Sequence, residues 1–481
     1  MKMRNIYKIA LTATLTFSIF SCDFDTKTYQ ELPDSDAYRS VQDVQNGMTG
    51  AYQALATYRF AGNYAIAFGD FIAGISDGSA SSGHMRDISR LTMIETTAEI
   101  SDCWNYGYKV IDRCTRTIQG GKKILAQKDV LHLSVKDEAD INSYLGQCYA
   151  LKALANYYLV NLFATPYNTG ADKPGLPLVK DDPIPLFTQV DRSTVGETYT
   201  QITSDIEQAE TFLTASKAQL SAFYMGQMGL QALKARVFMD LGKYEDATAA
   251  AQEAIRLKGT GDGTGSDSNL SDANYLSMWT SLAITPEDLF TIAKNESDNL
   301  SSNSLNTLYG SYRCTLSNFT VNAYADTDIR KGLIGKNGGG SNTKKYDGLP
   351  TSAATSNIPI FRKSEMSLIV AEVAARKNNI ADARKYLLYT AKRNTAIKTE
   401  DDLPATADGL LAFISEERVR EFAGEGHRLY DARRVGEKVK MTNFNNLFDV
   451  AKFVLPIPAD EVNAGFMTQQ NENWDAAIPA K

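Results

Sequence analysis

Histidine and cysteine are scarce in this chain of 481 residues, with three of the former and five of the latter. His84, His132 and His427 stand far apart without a second ligand at i+3 or i+4, so neither a zinc site nor any other cofactor is expected. The cysteines show no CxxC spacing. Cys103 and Cys114 would lie roughly 16 Å apart along one helix and could not bond to each other, so buried thiols are the expected state. Beyond the N-terminal segment no apolar run is long enough to span a bilayer as a helix. Basic charge is also in deficit: 50 Lys and Arg face 57 Asp and Glu, a net charge of −7. That excludes the basic face nucleic-acid binding requires. With 43% hydrophobic and 22% charged residues, the chain still holds enough apolar material for a large aqueous body with a sizeable core.

Residues 1–21 read as a secretory signal, with Lys2, Arg4 and Lys8 ahead of the short apolar run from Ile9 to Phe20. The run ends in Ser18-Ile19-Phe20-Ser21-Cys22, which is similar to the lipobox of bacterial lipoproteins and makes Cys22 the lipidated residue. Asp23 and Asp25 behind it resemble a surface-export signal, so the expected location is the outer membrane, lipid-anchored and facing outward. Residues 22–39 are the tether. Residues 40–481 read as one domain, with an N-terminal part at about 40–215 and a C-terminal part at about 216–481.

Apolar residues recur at helical spacing over Ser40–Tyr58, around Trp104–Ile118, over Ile141–Phe163 and over Glu197–Leu213. Tyr144, Tyr149, Tyr157, Tyr158 and Phe163 of the third segment, and Trp104 of the second, read as core. Five prolines between Thr165 and Val190 forbid regular helix there. In Gln231–Ile255 the small residues Ala235, Gly242, Ala247 and Ala254 alternate with Phe238 and Tyr244, the pattern of a tetratricopeptide-like helix pair. It recurs at Ser367–Thr390 through Ala371, Ala374, Asn378, Ile380, Ala383 and Leu387. The fold class is therefore mainly α, a tetratricopeptide-like helical-repeat scaffold interrupted by a loop-rich insertion at about 259–360.

That insertion carries Tyr275, Trp279, Phe290, Tyr309, Tyr312, Phe319, Tyr324 and Tyr346 among Gly, Ser and Asn. Aromatic planes in polar loops suit the CH faces of sugar rings, while carboxylates and guanidinium groups suit their hydroxyls. The candidate ligand contacts are Asp77, His84 and Arg86 from an earlier loop at Gly69–Ser89, with Trp279, Tyr309, Tyr312, Arg313 and Tyr346 from the insertion. The stretch Phe413–Arg434 is the densest charge cluster. A balanced set of acids and bases could hold a general acid and base or could pin a helix. The pinning reading fits Glu417, Arg420, Glu421, Glu425, Arg428, Asp431 and Arg433, with Gly424 and Gly426 ending the helix. The tail from Phe453 reads as a short apolar strand or edge, then a turn.

Several of these features resemble the SusD/RagB family of outer-membrane lipoproteins, in the family's order. They are the lipobox, Leu162-Phe163 ending the aromatic helix, RKSEMSLIVAEVAAR at 362–376, EERVREFAGEGHRLYDARR at 416–434, and LPIPADEV with Gln470-Asn471 and Trp474. The resemblance implies four tetratricopeptide-like units under a loop-rich face. It further implies a non-catalytic protein that binds oligosaccharide and sits as a hinged lid on a SusC-like TonB-dependent transporter. An oligopeptide-binding, RagB-like role is the alternative. A glycoside hydrolase would need two carboxylates facing across a cleft, and no motif selects such a pair.

Overall fold

In the computed structural model the described residues are 37–479, apart from 186–187, 268–271, 350, 353 and 465–468. The signal segment, Cys22 and most of the tether lie outside them. Helix α1, Val41–Leu55, starts with a capping box: the Ser40 hydroxyl accepts from the Asp43 amide, and the Asp43 carboxylate accepts from the Ser40 amide at 2.9 Å. Its apolar stripe buries Val44, Met48, Ala51 and Leu55. Helix α2, Tyr64–Phe71, is buried along most of its length and takes in Gly69 and Asp70, which the sequence places in a loop. An eight-residue helix without a polar face carries no helical periodicity to read.

Helices α3, Ala98–Ala126, and α4, Val135–Phe163, form a long antiparallel hairpin. Both outrun their predicted spans because their outer turns are polar; α4 begins with a Ser134–Asp137 capping box. The half of α4 from Leu145 onward is buried all round, packed between α1, α3 and α5, Val195–Ser216. Trp104 is 1% exposed, so it is scaffold. The proline-rich connection contributes one short strand, β2 at Pro174–Pro177, paired antiparallel with β3 at Arg192–Thr194. β1 is the two-residue strand Ser76–Asp77.

The two repeats are the helix pairs α6, Gln227–Asp240, with α7, Tyr244–Lys258, and α8, Lys363–Arg376, with α9, Ile380–Ala391. Gly242 and Asn378 occupy the same place in the two turns and both adopt left-handed backbone, φ +69° and +57°. Glycine and asparagine are the residues that tolerate it. α7 packs on α8, and α8 and α9 share a core with α10, Ala407–Phe422. α11, Arg428–Val435, follows.

The insertion returns to its own base. β4, Asp288–Ile292, pairs antiparallel with β8, Ile358–Arg362, which runs straight into α8. A second sheet, ordered β1-β5-β7-β6, joins β1 to the insertion strands β5, Thr315–Leu316, β6, Ile334–Asn337, and β7, Gly340–Thr343. The tail forms no strand over Phe453–Pro458. Its extended backbone instead hydrogen-bonds Leu162 and Glu95, and the Gln470 amide brackets Ile457 by accepting at 2.6 Å and donating at 2.8 Å. Proline at 456 and 458 removes the donors a ladder would need. Among the described residues no helix is long and apolar enough to cross a membrane.

Candidate functional site

The charges of 416–434 meet partners from the insertion in a sealed network. Arg362, 1% exposed, reaches Glu287 at 3.0 Å, Glu421 at 2.8 Å and Glu425 at 2.7 Å. Arg330, equally buried, reaches Asp328 and Glu417 at 2.8 Å and Glu421 at 3.1 Å. Arg393 also contacts Glu421, Lys345 Nζ stands 2.6 Å from Glu425, and Arg420 is 2.9 Å from Glu417. Burial alone would push these carboxyls up. The guanidinium groups outweigh it and hold Glu287, Glu417 and Glu421 below the usual carboxylate range. A carboxylate kept ionised by two or three cations has no proton to lend, so the cluster is a strut. His427 belongs to it: its ring stacks on Phe422 at 4.2 Å, and burial, reinforced by Arg236 and Arg418, keeps it neutral.

The turn after α10 is shaped for this packing. Gly424 and Gly426 have φ of +89° and +80°, and a Cβ on Gly69 of α2 would stand 1.9 Å from the Gly426 carbonyl. Arg428 pairs with Glu437 at 2.6 Å and Asp431 with Arg418 at 2.6 Å, tying α11 back. Arg433, expected in an ion pair, donates instead to the carbonyls of Asn161 and Ala164 at the end of α4. Those carbonyls are left open where the helix stops.

Three of the candidate ligand residues are part of this interior. Trp279 is 5% exposed and roofs the network, with Lys345 Nζ 4.8 Å and Arg362 Cζ 5.2 Å from its ring. Tyr346 is buried, and its hydroxyl donates to the Gly424 carbonyl at 3.0 Å. Tyr309, also buried, stacks on Phe71 and shares a 2.9 Å hydrogen bond with Ser76. None presents a ring face to solvent. Of the eight insertion aromatics, Tyr275, Trp279, Phe290, Tyr309, Tyr324 and Tyr346 are buried; Tyr312 is half-buried and Phe319 exposed.

Of the others, the structure brings His84 and Tyr312 together on loops next to the β1–β5 pair, and Asp77 lies in β1 itself. His84 is exposed, and its ring lies parallel to Tyr312 with centroids 3.6 Å apart and 16° between planes. The Ser82 hydroxyl donates to the Tyr312 carbonyl at 2.8 Å, and Cys314 Sγ lies 3.4 Å from the His84 carbonyl. These bonds join the two loops on either side of the stack. Below them Asp77 of β1 pairs with Thr315 of β5. Its carboxylate accepts from Thr442 at 2.8 Å, and burial raises its pKa above the ordinary value, with Thr442 opposing the rise. Arg86 and Arg313 are both exposed, one on each loop.

Sequence reasoning missed what braces this platform, the hairpin β6–β7. Asn337 and Asn342 each donate through Nδ2 to the Tyr309 carbonyl at 3.3 Å, and Asn337 also donates to that of Gly310. The Lys-Asn-Gly-Gly-Gly run was the available signal, since Asn-Gly marks a hairpin turn. Among the described residues no cluster of three or more His, Cys, Asp or Glu is placed to hold a metal ion. The four described cysteines are free and buried. A separate cavity of about 490 Å³ between α8, α10 and α11 is lined by Glu372, Arg376, Arg418, Arg428, Arg434 and Glu437. Its cations and these acids are largely paired with one another.

Comparison with known proteins joins these features. Residues 289–474 match the SusD family, and residues 25–239 match a family described as starch-binding and associating with the outer membrane. A SusD superfamily protein from Bacteroides vulgatus ATCC 8482 superposes with a TM-score of 0.76 at 24% identity, over 91% of this chain and 100% of that one. One from Bacteroides thetaiotaomicron VPI-5482 gives 0.76 at 23%, over 90% and 100%. A laminarin-binding SusD-like protein gives 0.68 at 19%, over 91% and 100%. No protein of curated function matches the chain. The two family matches lie in sequence order on the two halves of one fold, and the chain belongs to the SusD/RagB family.

Proposed function

We propose that this protein is a non-catalytic glycan-binding lipoprotein of the outer-membrane surface, anchored through Cys22, that passes oligosaccharides to a SusC-like TonB-dependent transporter. The observation that carries the reading is the His84–Tyr312 stack, with His84 exposed and with exposed Arg86 and Arg313 close by in the two loops that bear the rings. Its outer ring face offers a plane for a sugar, and the two guanidinium groups offer donors to hydroxyl oxygens. The platform is held by backbone pairing of β1 with β5 and by the β6–β7 hairpin, so little conformational freedom is lost when a ligand binds. A laminarin-binding relative of the same fold supports a glycan over other ligand classes. The acids of the buried charge cluster are committed to ion pairs, which supports binding without cleavage.

Isothermal titration against plant, host and microbial glycans, laminarin among them, and against mixed oligopeptides tests the reading, with analysis of products. Saturable binding of a glycan without turnover is expected. Turnover of any glycan would overturn the non-catalytic part, and tight binding of peptides alone would replace glycan with peptide as the cargo.

A further inference from the structure

The tip of the α3–α4 hairpin, residues 127–135, carries the two most open large apolar side chains among the described residues, Val135 at 85% and Val130 at 78%, with Leu131 beside them at 39%. The tip is a built turn. Its backbone closes through Leu131 to Gln127 and Leu133 to Lys128, both at 2.9 Å, with His132 in left-handed conformation. Valine and leucine held outward by a fixed turn are an interaction surface rather than a collapsed loop.

The packing of α1 shows which way this end of the molecule faces. Val44 Cγ1 sits 3.3 Å from where a Cβ on Gly121 would stand, and the Arg113 guanidinium donates to the Gly50 carbonyl. α1 therefore runs antiparallel to α3, and Ser40 stands level with the last turn of α3, within about 6 Å of Gly121 along the axis. On the other strand of the hairpin, Leu145 packs on Gly121, so Val135 lies about 15 Å beyond it in the same direction. Ser40, the first residue of the folded body, thus lies toward the end that carries the apolar tip.

We infer that this tip is a membrane-contact element, inserting Val130, Leu131 and Val135 shallowly among lipid headgroups and orienting the body that the lipid anchor merely tethers. The inference rests on the anchored reading given above. Exposed Lys122, Lys123, Lys128 and Lys136 surround the tip. Lys128 and Lys136 are each held in an ion pair, so Lys122 and Lys123 are the ammonium groups placed to reach anionic headgroups. Glu138 and Asp140 are taken by those two lysines, Lys128 at 3.0 Å and Lys136, and Asp137 by the cap of α4, so the tip draws its membrane contact chiefly from its apolar side chains, with Asp129 opposing Lys122 and Lys123. Three side chains on a convex tip fall well short of the roughly 800 Å² per partner that a stable protein interface buries, but suffice for shallow insertion. An extended tether of 18 residues spans at most about 60 Å, so without a second contact the body could swing widely.

The test uses the lipidated chain on vesicles of phosphatidylcholine and phosphatidylglycerol, with a nitroxide on Val130→Cys or, as reference, on Leu447→Cys, an exposed site far from the tip in sequence. The native body thiols are buried and do not compete for label. On vesicles the Val130 label is expected to lose accessibility to a polar nickel reagent and gain accessibility to oxygen, and the Leu447 label to stay water-exposed. Adding Val135→Asn, which alters only an exposed side chain, is expected to return the Val130 label toward water. A Val130 label that stays water-exposed while the chain remains on the vesicle overturns the tip proposal and leaves the anchor standing. Failure of Cys22→Ser to release the chain overturns the anchor instead. Shielding of the label only in membranes that contain a transporter also overturns the tip proposal, since the surface would then be a protein contact.

Discussion

Replacing Arg362 by methionine removes the most connected cation of the charge network while keeping much of its length and apolar stem. Glu287, Glu421 and Glu425 lose contacts of 3.0, 2.8 and 2.7 Å at a place where each is 5% exposed or less. Arg393 still contacts Glu287 and Glu421, and Lys345 still contacts Glu425, so no carboxylate is abandoned. The loss should therefore fall within the usual range for breaking a buried pair, about 3 to 5 kcal/mol. Natural domains hold only about 5 to 15 kcal/mol in reserve, so this is a large fraction. With an m-value of about 4 kcal/mol/M, expected to be large for a chain of this size, the urea midpoint should fall by about 1 M. The comparison is Arg256→Met. That side chain makes an equally short contact, 2.6 Å to Glu253, but is 68% exposed. Exposed pairs are worth about 0.2 to 1 kcal/mol, so its midpoint should barely move. Urea unfolding followed by far-UV circular dichroism decides the matter. Equal shifts for the two variants would refute the claim that burial and convergence give the Arg362 cluster its structural weight.

Acid should unfold the protein through the same cluster. Glu287, Glu417 and Glu421 have folded pKa values below their unfolded values, so their stabilisation is present above about pH 4.5 and is lost as pH falls through the folded values, which an acid titration by circular dichroism would show as a cooperative loss below that point. Asp205 has the opposite sign. Burial raises its pKa to about 6, partly offset by Lys152 at 3.6 Å, so between about pH 4 and 6 it makes stability fall as pH rises, and Asp205→Asn should remove that component when unfolding is compared across the range. Tyr312→Ala and His84→Ala should each weaken glycan binding by about 1 to 2 kcal/mol in isothermal titration, with unchanged melting; unaltered affinity in both would place the site elsewhere. Trp279→Ala should act on the fold instead, lowering stability by about 3 to 5 kcal/mol in urea and leaving the folded fraction's affinity intact.

The repeat scaffold was legible because α7 and α9 bury one stripe and expose the other, and because Asn378 stands where Gly242 does in the same left-handed turn, whereas α6 and α8 are buried nearly all round. The ends of α3 and α4 were not, since their outer turns are polar, and α4 starts on a capping box rather than on an apolar stripe. The insertion misled for a chemical reason. A tryptophan that stacks on sugar and one that roofs buried cations require the same composition: aromatics among polar residues and arginines. What separates them is the location of the acids. Arg330, Lys345 and Arg362 belong to the insertion or its edge, but their partners Glu417, Glu421 and Glu425 lie between 59 and 91 residues away by the hydrogen bonds that join them. No local pattern reports that distance.

The separation of the two charge sets has a functional consequence. His84, Arg86 and Arg313 sit on the 78–90 and 310–314 segments next to the second sheet, exposed and outside the sealed network. Substitutions at exposed positions of this kind usually change stability by less than about 0.5 kcal/mol, against several for a member of the network. In the proposed role, the rim could therefore exchange ligand-contacting side chains without drawing on the fold's reserve, because the insertion that carries Tyr312 and Arg313 is fixed by the ion pairs of Arg330, Lys345 and Arg362. A protein whose ligand contacts also supplied its internal ion pairs could not change one without loosening the other. Here the buried charges hold position and the exposed rings and guanidinium groups are free to vary, so exchanging the 78–90 and 310–314 loops for those of a relative should transfer ligand preference while the urea midpoint stays in place.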